Sequence, residues 1–188
     1  MIKARVSEDI EDIYQPREDS YMIAEAIEDY AFGHVLDMGT GSGILAERAS
    51  NKSNVSNVTA VDINSNAIEY CLRNIRNKKI KFFQSDLFSN IKGKFDFIVF
   101  NPPYLPKGKD GVKDKALIGG KKGHELLEKF FKEVSKHLNA HGKILVLFSS
   151  QSGKDKIDEV IKRHKFKTNL LEKRHVFFED LYLYMLDK

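Results

Sequence analysis

Phe95-Asp96-Phe97-Ile98-Val99-Phe100-Asn101-Pro102-Pro103-Tyr104 is the stretch whose reading decides the fold. Aromatic and branched residues run from Phe95 to Phe100, interrupted by one acid, Asp96. Such a run reads as a strand buried on both faces of a parallel sheet. The two prolines remove the N–H groups a ladder needs, so the strand is predicted to end at Asn101. In an open α/β sheet ligands bind outside the carboxyl ends of the strands, which makes Asn101, Pro102, Pro103 and Tyr104 candidate catalytic residues. Asn101 brings a side-chain carbonyl, Pro102 a main-chain carbonyl, and Tyr104 a flat ring with a hydroxyl. Two acceptors beside a ring suit a planar NH2 group: both hydrogens are held and one face is left open to an electrophile. The tetrapeptide alone also reads as a rigid surface turn; its position after a buried strand favours the first reading.

Upstream, His34 to Met38 reads as a buried strand leading into Gly39-Thr40-Gly41-Ser42-Gly43, with Ile44 to Ala49 as a helix. Glycines between a strand and a helix bring main-chain N–H groups and a helix N-terminus against a ligand, although a tight strand-to-helix turn has the same composition. The next strand, Val58 to Asp62, ends in an acid about 20 residues past the glycines, the distance at which a carboxylate grips a ribose. Asn64 then caps a helix whose buried face is Ala67, Ile68, Cys71, Leu72 and Ile75. Cys71 therefore reads as core rather than nucleophile. A third strand, Ile80 to Gln84, leads to Ser85-Asp86-Leu87, where the acid can take an exocyclic amine and the leucine can lie on its ring. Asp86 reads equally as a turn cap.

Ser7 to Asp12 reads as a solvated arm or an early turn. Pro16 precedes an amphipathic helix with Met22, Ile23, Ala26, Ile27 and Tyr30 at helical spacing, Ser20 as its N-cap and Gly33 as its end. Beyond Tyr104, the stretch Leu105 to Gly120 is lysine-rich and aperiodic, a lid, substrate contact or disordered segment. A helix over Gly123 to Leu138, stopped by Gly142, precedes a strand over Lys143 to Phe148 and a helix over Asp155 to Arg163. The tail reads as an antiparallel hairpin around Glu172 to Asp180, with Leu181 to Leu186 as its second strand.

The chain is 188 residues long, room for one α/β core, so a single domain over 1–188 is expected. One cysteine excludes an internal disulfide framework and a cysteine-based zinc cluster, and the start lacks a signal peptide's apolar core, which suggests a cytoplasmic protein. No apolar run reaches membrane-spanning length. His137 and His141, four apart without a third ligand, read as a cationic helix end, so no metal is expected. The net charge of +4 permits an acidic partner such as RNA without demanding one.

With acids at the ends of the first three strands and Asn-Pro-Pro-Tyr after the fourth, the chain resembles the class I S-adenosylmethionine-dependent methyltransferases over nearly its whole length. Within them it resembles the HemK-type release-factor glutamine methyltransferases. Tyr14-Gln15-Pro16-Arg17-Glu18-Asp19-Ser20 is similar to the Tyr-x-Pro-x-Glu-Asp-Thr/Ser segment of the compact archaeal and eukaryotic group, and Gly119-Gly120-Lys121-Lys122-Gly123 to its Gly-Gly-x-x-Gly. The resemblance implies a Rossmann-like α/β fold: a seven-stranded, mostly parallel sheet of order 3-2-1-4-5-7-6, a C-terminal antiparallel hairpin and helices on both faces. It implies S-adenosyl-L-methionine as cofactor, held by Ser20, Asp37, Gly39, Gly41, Asp62, Asp86, Leu87 and Asn101. Asp37 would face the methionine amino group and Asp62 the ribose. The implied substrate is a glutamine side chain of a release factor. A small zinc-binding activator protein is implied at the Lys79 to Gln84 edge strand, whose apolar residues read alternatively as facing the protein's own helices.

Three rivals remain at this level. A nucleic-acid amino methyltransferase would use the same motif on adenine or guanine, but the Lys107 to Lys122 stretch has no aromatic residue to interleave with its lysines. A non-catalytic cofactor-binding subunit has no physical need of Asn101 and Tyr104. A dehydrogenase is disfavoured because the third glycine comes one residue early for the dinucleotide fingerprint.

Overall fold

The computed structural model describes residues 13–106, 118–120 and 123–188. The arm or turn expected over Ser7 to Asp12 and the central part of the lysine-rich stretch lie outside the described residues. The elements run α1 (Glu18–Tyr30), β1 (Gly33–Met38), α2 (Ile44–Ser50), β2 (Val55–Asp62), α3 (Ser65–Asn74), β3 (Ile80–Gln84) and β4 (Phe95–Phe100). They continue with β5 (Leu105–Pro106), β6 (Ile118–Gly120), α4 (Glu125–Glu133), β7 (Leu138–Ser149), α5 (Lys154–Arg163), β8 (Lys167–Val176) and β9 (Glu179–Asp187).

One seven-stranded sheet has the order β3-β2-β1-β4-β7-β9-β8, which is the expected order once β7, β8 and β9 are counted as its fifth, sixth and seventh strands. Strands β3, β2, β1, β4 and β7 are parallel. Strand β9 runs antiparallel to both β7 and β8. The alternation of the strand sequences accounts for the two layers. Val35, Phe97, Val99, Leu145 and Leu147 point to one face and meet Met22, Ile23 and Ile27 of α1 and Leu45 and Ala46 of α2. Leu36, Ile98, Phe100, Ile144, Val146 and Phe148 point to the other and meet Leu127, Phe130 and Phe131 of α4 and Ile157, Val160 and Ile161 of α5. Phe95, Phe97 and Phe100 are fully buried, each contributing on the order of 2–3 kcal/mol of hydrophobic stabilisation. Among the described residues no helix is long and apolar enough to cross a membrane.

Three local expectations are corrected. Ser20 is not the cap of α1; Arg17, in extended conformation after Pro16, holds that position, and Ser20 is buried within the first turn with its N–H on Asp19 Oδ1 at 2.7 Å. The helix after Gly123 is shorter than the apolar pattern suggests: α4 gives way to a 3-10 turn at Val134–Lys136, and the strand begins at Leu138, before Gly142 rather than after it. The cause is a bulge. Phe95 pairs with Leu138 but Phe97 with Lys143, so β7 carries extra residues there, and Asn139 Nδ2 donates to Asp96 Oδ1 at 2.6 Å across the gap. A Cβ at Gly142 would press on the Leu138 side chain and lie 3.0 Å from the Phe95 carbonyl oxygen, so the glycine serves close strand approach, not a helix stop. Finally, the stretch read as irregular after Tyr104 holds the short parallel pair β5–β6, with Leu105 opposite Ile118.

Gly43 stands in left-handed conformation at the start of α2, φ +84°, and a Cβ there would collide with the Ile75 side chain and lie 2.9 Å from Cys71 Sγ. Gly43→Ala is therefore expected to destabilise the fold by about 1–3 kcal/mol, read as a lower urea midpoint at unchanged m-value. An unchanged midpoint would show that α3 yields freely beneath the glycine loop.

Candidate active site

The carboxyl ends of β1, β2, β3 and β4 open on a cavity of about 510 Å³. Each strand delivers its own part of the wall. From β1 come Met38, Gly39 and Gly41; from β2, Asp62 followed by Ile63 and Asn64; from β3, Ser85, Asp86 and Leu87; from β4, Phe100 and then Asn101, Pro102, Pro103 and Tyr104. Ile13, Tyr14 and Asp19 close one side, and Ala67 and Leu126 complete the lining.

The glycine loop is held by the strand beside it. Gly39 and Thr40 both donate their N–H to the Val61 carbonyl, at 2.8 and 2.9 Å, and Gly41 N–H donates to Asp62 Oδ2 at 2.9 Å. Gly41 adopts φ +53°, which a side chain rarely tolerates. Asp62 Oδ1 accepts from Asn64 N at 2.8 Å, and the Ile63 N–H also favours the carboxylate, so backbone donors hold the group in place at the cavity wall. Burial pushes the Asp62 carboxyl up, and the backbone donors pull against it. Leu87 presents its side chain from a left-handed backbone, φ +46°, strain of a kind that gathers at functional walls.

Asn101 is fixed from below. Its Nδ2 donates to Asp19 Oδ2 at 3.0 Å, and the Tyr14 hydroxyl donates to the same oxygen at 2.6 Å. Asp19 is 2% exposed, an acid on the apolar face of α1. A carboxylate accepts only, so the amide nitrogen is the end of Asn101 that faces it, and Oδ1 is left buried with no hydrogen-bond partner among the described residues. Burial, and secondarily Asp19, raise both the Tyr14 and Tyr104 hydroxyls well above the usual phenol range, so neither serves as a base near neutrality. The Cys71 thiol is pushed up to about 12 by burial and donates to the Gly41 carbonyl at 3.4 Å, a loop support with no thiolate character.

Of the residues singled out by sequence, Gly39, Gly41, Asp62, Asp86, Leu87, Asn101, Pro102, Pro103 and Tyr104 all reach the cavity. Ser20 and Asp37 do not. Ser20 is buried behind Asp19. Asp37 lies fully buried under the glycine loop, Oδ2 accepting from the Thr40 hydroxyl at 2.7 Å and the Ala46 N–H also favouring the carboxylate, while Oδ1 has no close hydrogen-bond partner among the described residues. Burial raises its carboxyl to about 7. Asp19 and Tyr14 are the contributions that sequence reasoning missed, although an acid on the same helical face as Met22, Ile23 and Ala26 was the available signal. His137 packs on Phe88, ring centroids 4.7 Å apart, with Nδ1 3.0 Å from the Gly93 carbonyl oxygen.

This strand order, with a glycine loop after the first strand and acids after the second and third, defines a class I methyltransferase fold. The chain belongs to the methyltransferase small domain family, whose model matches residues 18–177. It is 36% identical over 176 residues to a Methanocaldococcus jannaschii protein named as an N5-glutamine methyltransferase, covering 90% of this chain and 89% of that one. With the release factor glutamine methyltransferase of Aquifex aeolicus it shares 32% over 150 residues, 73% of this chain and 53% of that protein. The chain thus spans about nine tenths of the first relative and about half of the second. Among solved structures, the E. cuniculi Mtq2–Trm112 complex, responsible for methylating the eRF1 translation termination factor, superposes with a TM-score of 0.76 at 25% identity, over 94% of this chain and 99% of the matched one.

Removing the Asp19 carboxylate strands two donors, the Tyr14 hydroxyl and Asn101 Nδ2. Asp19→Ala is expected to cost about 1–3 kcal/mol of stability in chemical denaturation. A loss within experimental scatter of zero would mean that water replaces the carboxylate without penalty.

Proposed function

We propose that the protein is an S-adenosyl-L-methionine-dependent methyltransferase acting on the side-chain amide nitrogen of a glutamine in a peptide-chain release factor. The observation that carries the reading is the Asn101 amide: anchored by Nδ2 on Asp19, it keeps Oδ1 without a donor among the described residues, beside Pro102 and Tyr104. A buried acceptor left unpartnered is costly, and a substrate N–H is what would satisfy it. The named activities of the two relatives support the same class of acceptor.

The cavity fits the cofactor by its donor set. Asp62 would accept from the ribose hydroxyls, Asp86 from the adenine amine with Leu87 on the ring, and Gly39 and Gly41 allow close backbone approach. Asp37 is not part of the wall, so its buried carboxylate would favour the methionine ammonium electrostatically through the glycine loop rather than by contact. When bound, S-adenosylmethionine supplies an electrophilic methyl group on a sulfonium. The protein's part is placement. An amide nitrogen is a poor nucleophile because its lone pair is delocalised into the carbonyl, and no side chain in the wall is a strong base. Asn101 Oδ1 and the Pro102 carbonyl hold the two N–H hydrogens, favouring positive charge as it builds on the nitrogen, and Tyr104 keeps the group flat. Orientation of this kind is worth several kcal/mol, up to roughly 7–11.

The reading includes a small activator protein on the edge strand β3, which among the described residues pairs only with β2. Lys79 and Lys81 look like charges that guard this edge, yet the Lys79 ammonium is folded onto the Lys52 and Val55 carbonyls at 3.1 and 2.9 Å. That leaves Lys81 exposed, while Phe82 and Phe83 pack against the protein's own two cores on opposite faces and are only half-buried there, so the partner would add to the main-chain edge and the rims of these rings. The two-protein composition of the Mtq2–Trm112 complex supports such an arrangement.

Incubation with methyl-labelled cofactor, with and without the activator, is expected to label release factor but neither transfer RNA nor duplex DNA. Asn101→Ala should abolish transfer while calorimetry still registers cofactor binding. Label in nucleic acid, or wild-type transfer by the variant, contradicts the reading.

A pH dependence follows from Asp37. Burial holds its carboxyl near 7 in the free protein, and a neighbouring ammonium favours the carboxylate, so ligand binding expels a proton below that pH. Affinity for S-adenosylhomocysteine is expected to rise with pH up to about 7, approaching tenfold per unit below it, and to level off above. Asp37→Asn should flatten the profile. Superimposable wild-type and variant profiles would remove Asp37 from the cofactor site.

A further inference from the structure

The turn joining β8 to β9 exposes two adjacent aromatic rings: Phe177 is 83% and Phe178 95% exposed. Isolated exposed apolar residues are ordinary, but this pair has two further features. First, Phe177 adopts φ +49°, a left-handed conformation where glycine or asparagine is the favourable choice and a bulky side chain is strained. The fold alone gains nothing from phenylalanine at that position.

Second, the turn is tied to the acceptor end of the cavity. The Ser149 hydroxyl at the carboxyl end of β7 bonds to the Glu179 carboxylate, and Asp180 N–H donates to Ser150 Oγ at 3.1 Å. From the same short turn, Ser152 Oγ donates to the Tyr104 carbonyl at 2.9 Å. The residues 150–152 therefore link the aromatic tip on one side to the Asn-Pro-Pro-Tyr wall on the other. Phe177 and Phe178 do not line the cavity, so they address what lies outside it when a side chain is inserted.

We infer that the Phe177–Phe178 tip is a docking platform for an apolar patch on the surface of the acceptor protein, outside the segment that carries the target glutamine. This rests on the reading of the acceptor as a protein. The charges favour protein over nucleic acid: Glu179 and Asp180 follow the rings directly, and Lys173, Arg174 and His175 are each held against a carboxylate rather than left for a phosphate. Lys173 pairs with Asp180 at 2.8 Å, Arg174 with Glu172 at 2.8 Å and Glu25 at 3.1 Å, and His175 Nδ1 lies 2.9 Å from Asp180 Oδ1. Rigid aromatic rings held at a fixed place contribute contact area with little loss of conformational freedom.

The test compares wild type, a Phe177→Ser/Phe178→Ser double variant and Phe177→Gly on two substrates: intact release factor and a short peptide bearing the same glutamine. The double variant is expected to raise KM for the intact factor by about tenfold or more, leaving kcat, the S-adenosylhomocysteine dissociation constant and peptide methylation unchanged. Phe177→Gly should raise the same KM while its Tm stays at or above the wild-type value, since strain is relieved. Equal KM values for the intact factor overturn the proposal, as does a peptide KM that shifts equally. Failure of the underlying glutamine reading looks different: wild type then labels neither substrate, and the tip proposal falls with it because it names a protein surface.

Discussion

The contact between Asp19 and Asn101 governs what the site can do. It joins two residues 82 positions apart, one in the first turn of α1 and one just past the end of β4. Because a carboxylate only accepts, it decides which end of the Asn101 amide points away, and so converts an ambiguous side chain into a fixed acceptor. Tyr14 reinforces the same oxygen from the segment before α1. The helix is in turn held by Met22, Ile23 and Ile27, all fully buried against the sheet. Hydrophobic packing on one face of the sheet thus sets the geometry of a polar site at its edge.

Asp62, in the cavity wall, and Asp37, buried behind it, are placed in two different electrostatic conditions. Asp62 is partly relieved of its burial by backbone N–H donors from Gly41 and Asn64, which keeps it suited to neutral hydroxyl partners. Asp37 is relieved by the Thr40 hydroxyl and the Ala46 N–H, yet its carboxyl still sits near 7 because burial outweighs both. The two acids therefore differ by the supply of donors against burial rather than by residue type.

Much of the fold was legible because its signals are local. Ile80 to Gln84 and Phe95 to Phe100 could be bounded from branched and aromatic runs, and the C-terminal hairpin from its short turn. The Asn64 cap, accepting from Asn66 N at 3.0 Å, is equally local. The features that escaped depend on distant partners. An acid in a first helical turn ordinarily complements the helix dipole, so nothing near Asp19 announces that its carboxylate serves Asn101. Gly142 looked like a helix stop because its reason lies across the sheet, in the close approach to Leu138 and Phe95. Ser20 and Asp37 were placed in the cofactor shell by the family resemblance, while packing put both behind the wall.

The central claim is that the wall formed by Asn101, Pro102 and Tyr104 presents a glutamine amide to the methyl donor. Fragmentation mass spectrometry of release factor after incubation with the enzyme and S-adenosylmethionine tests it most directly. The account predicts a single added methyl group on the side-chain nitrogen of one glutamine, absent when Asn101→Ala replaces the wild type. A methyl group on a lysine, an arginine or the main chain would contradict it.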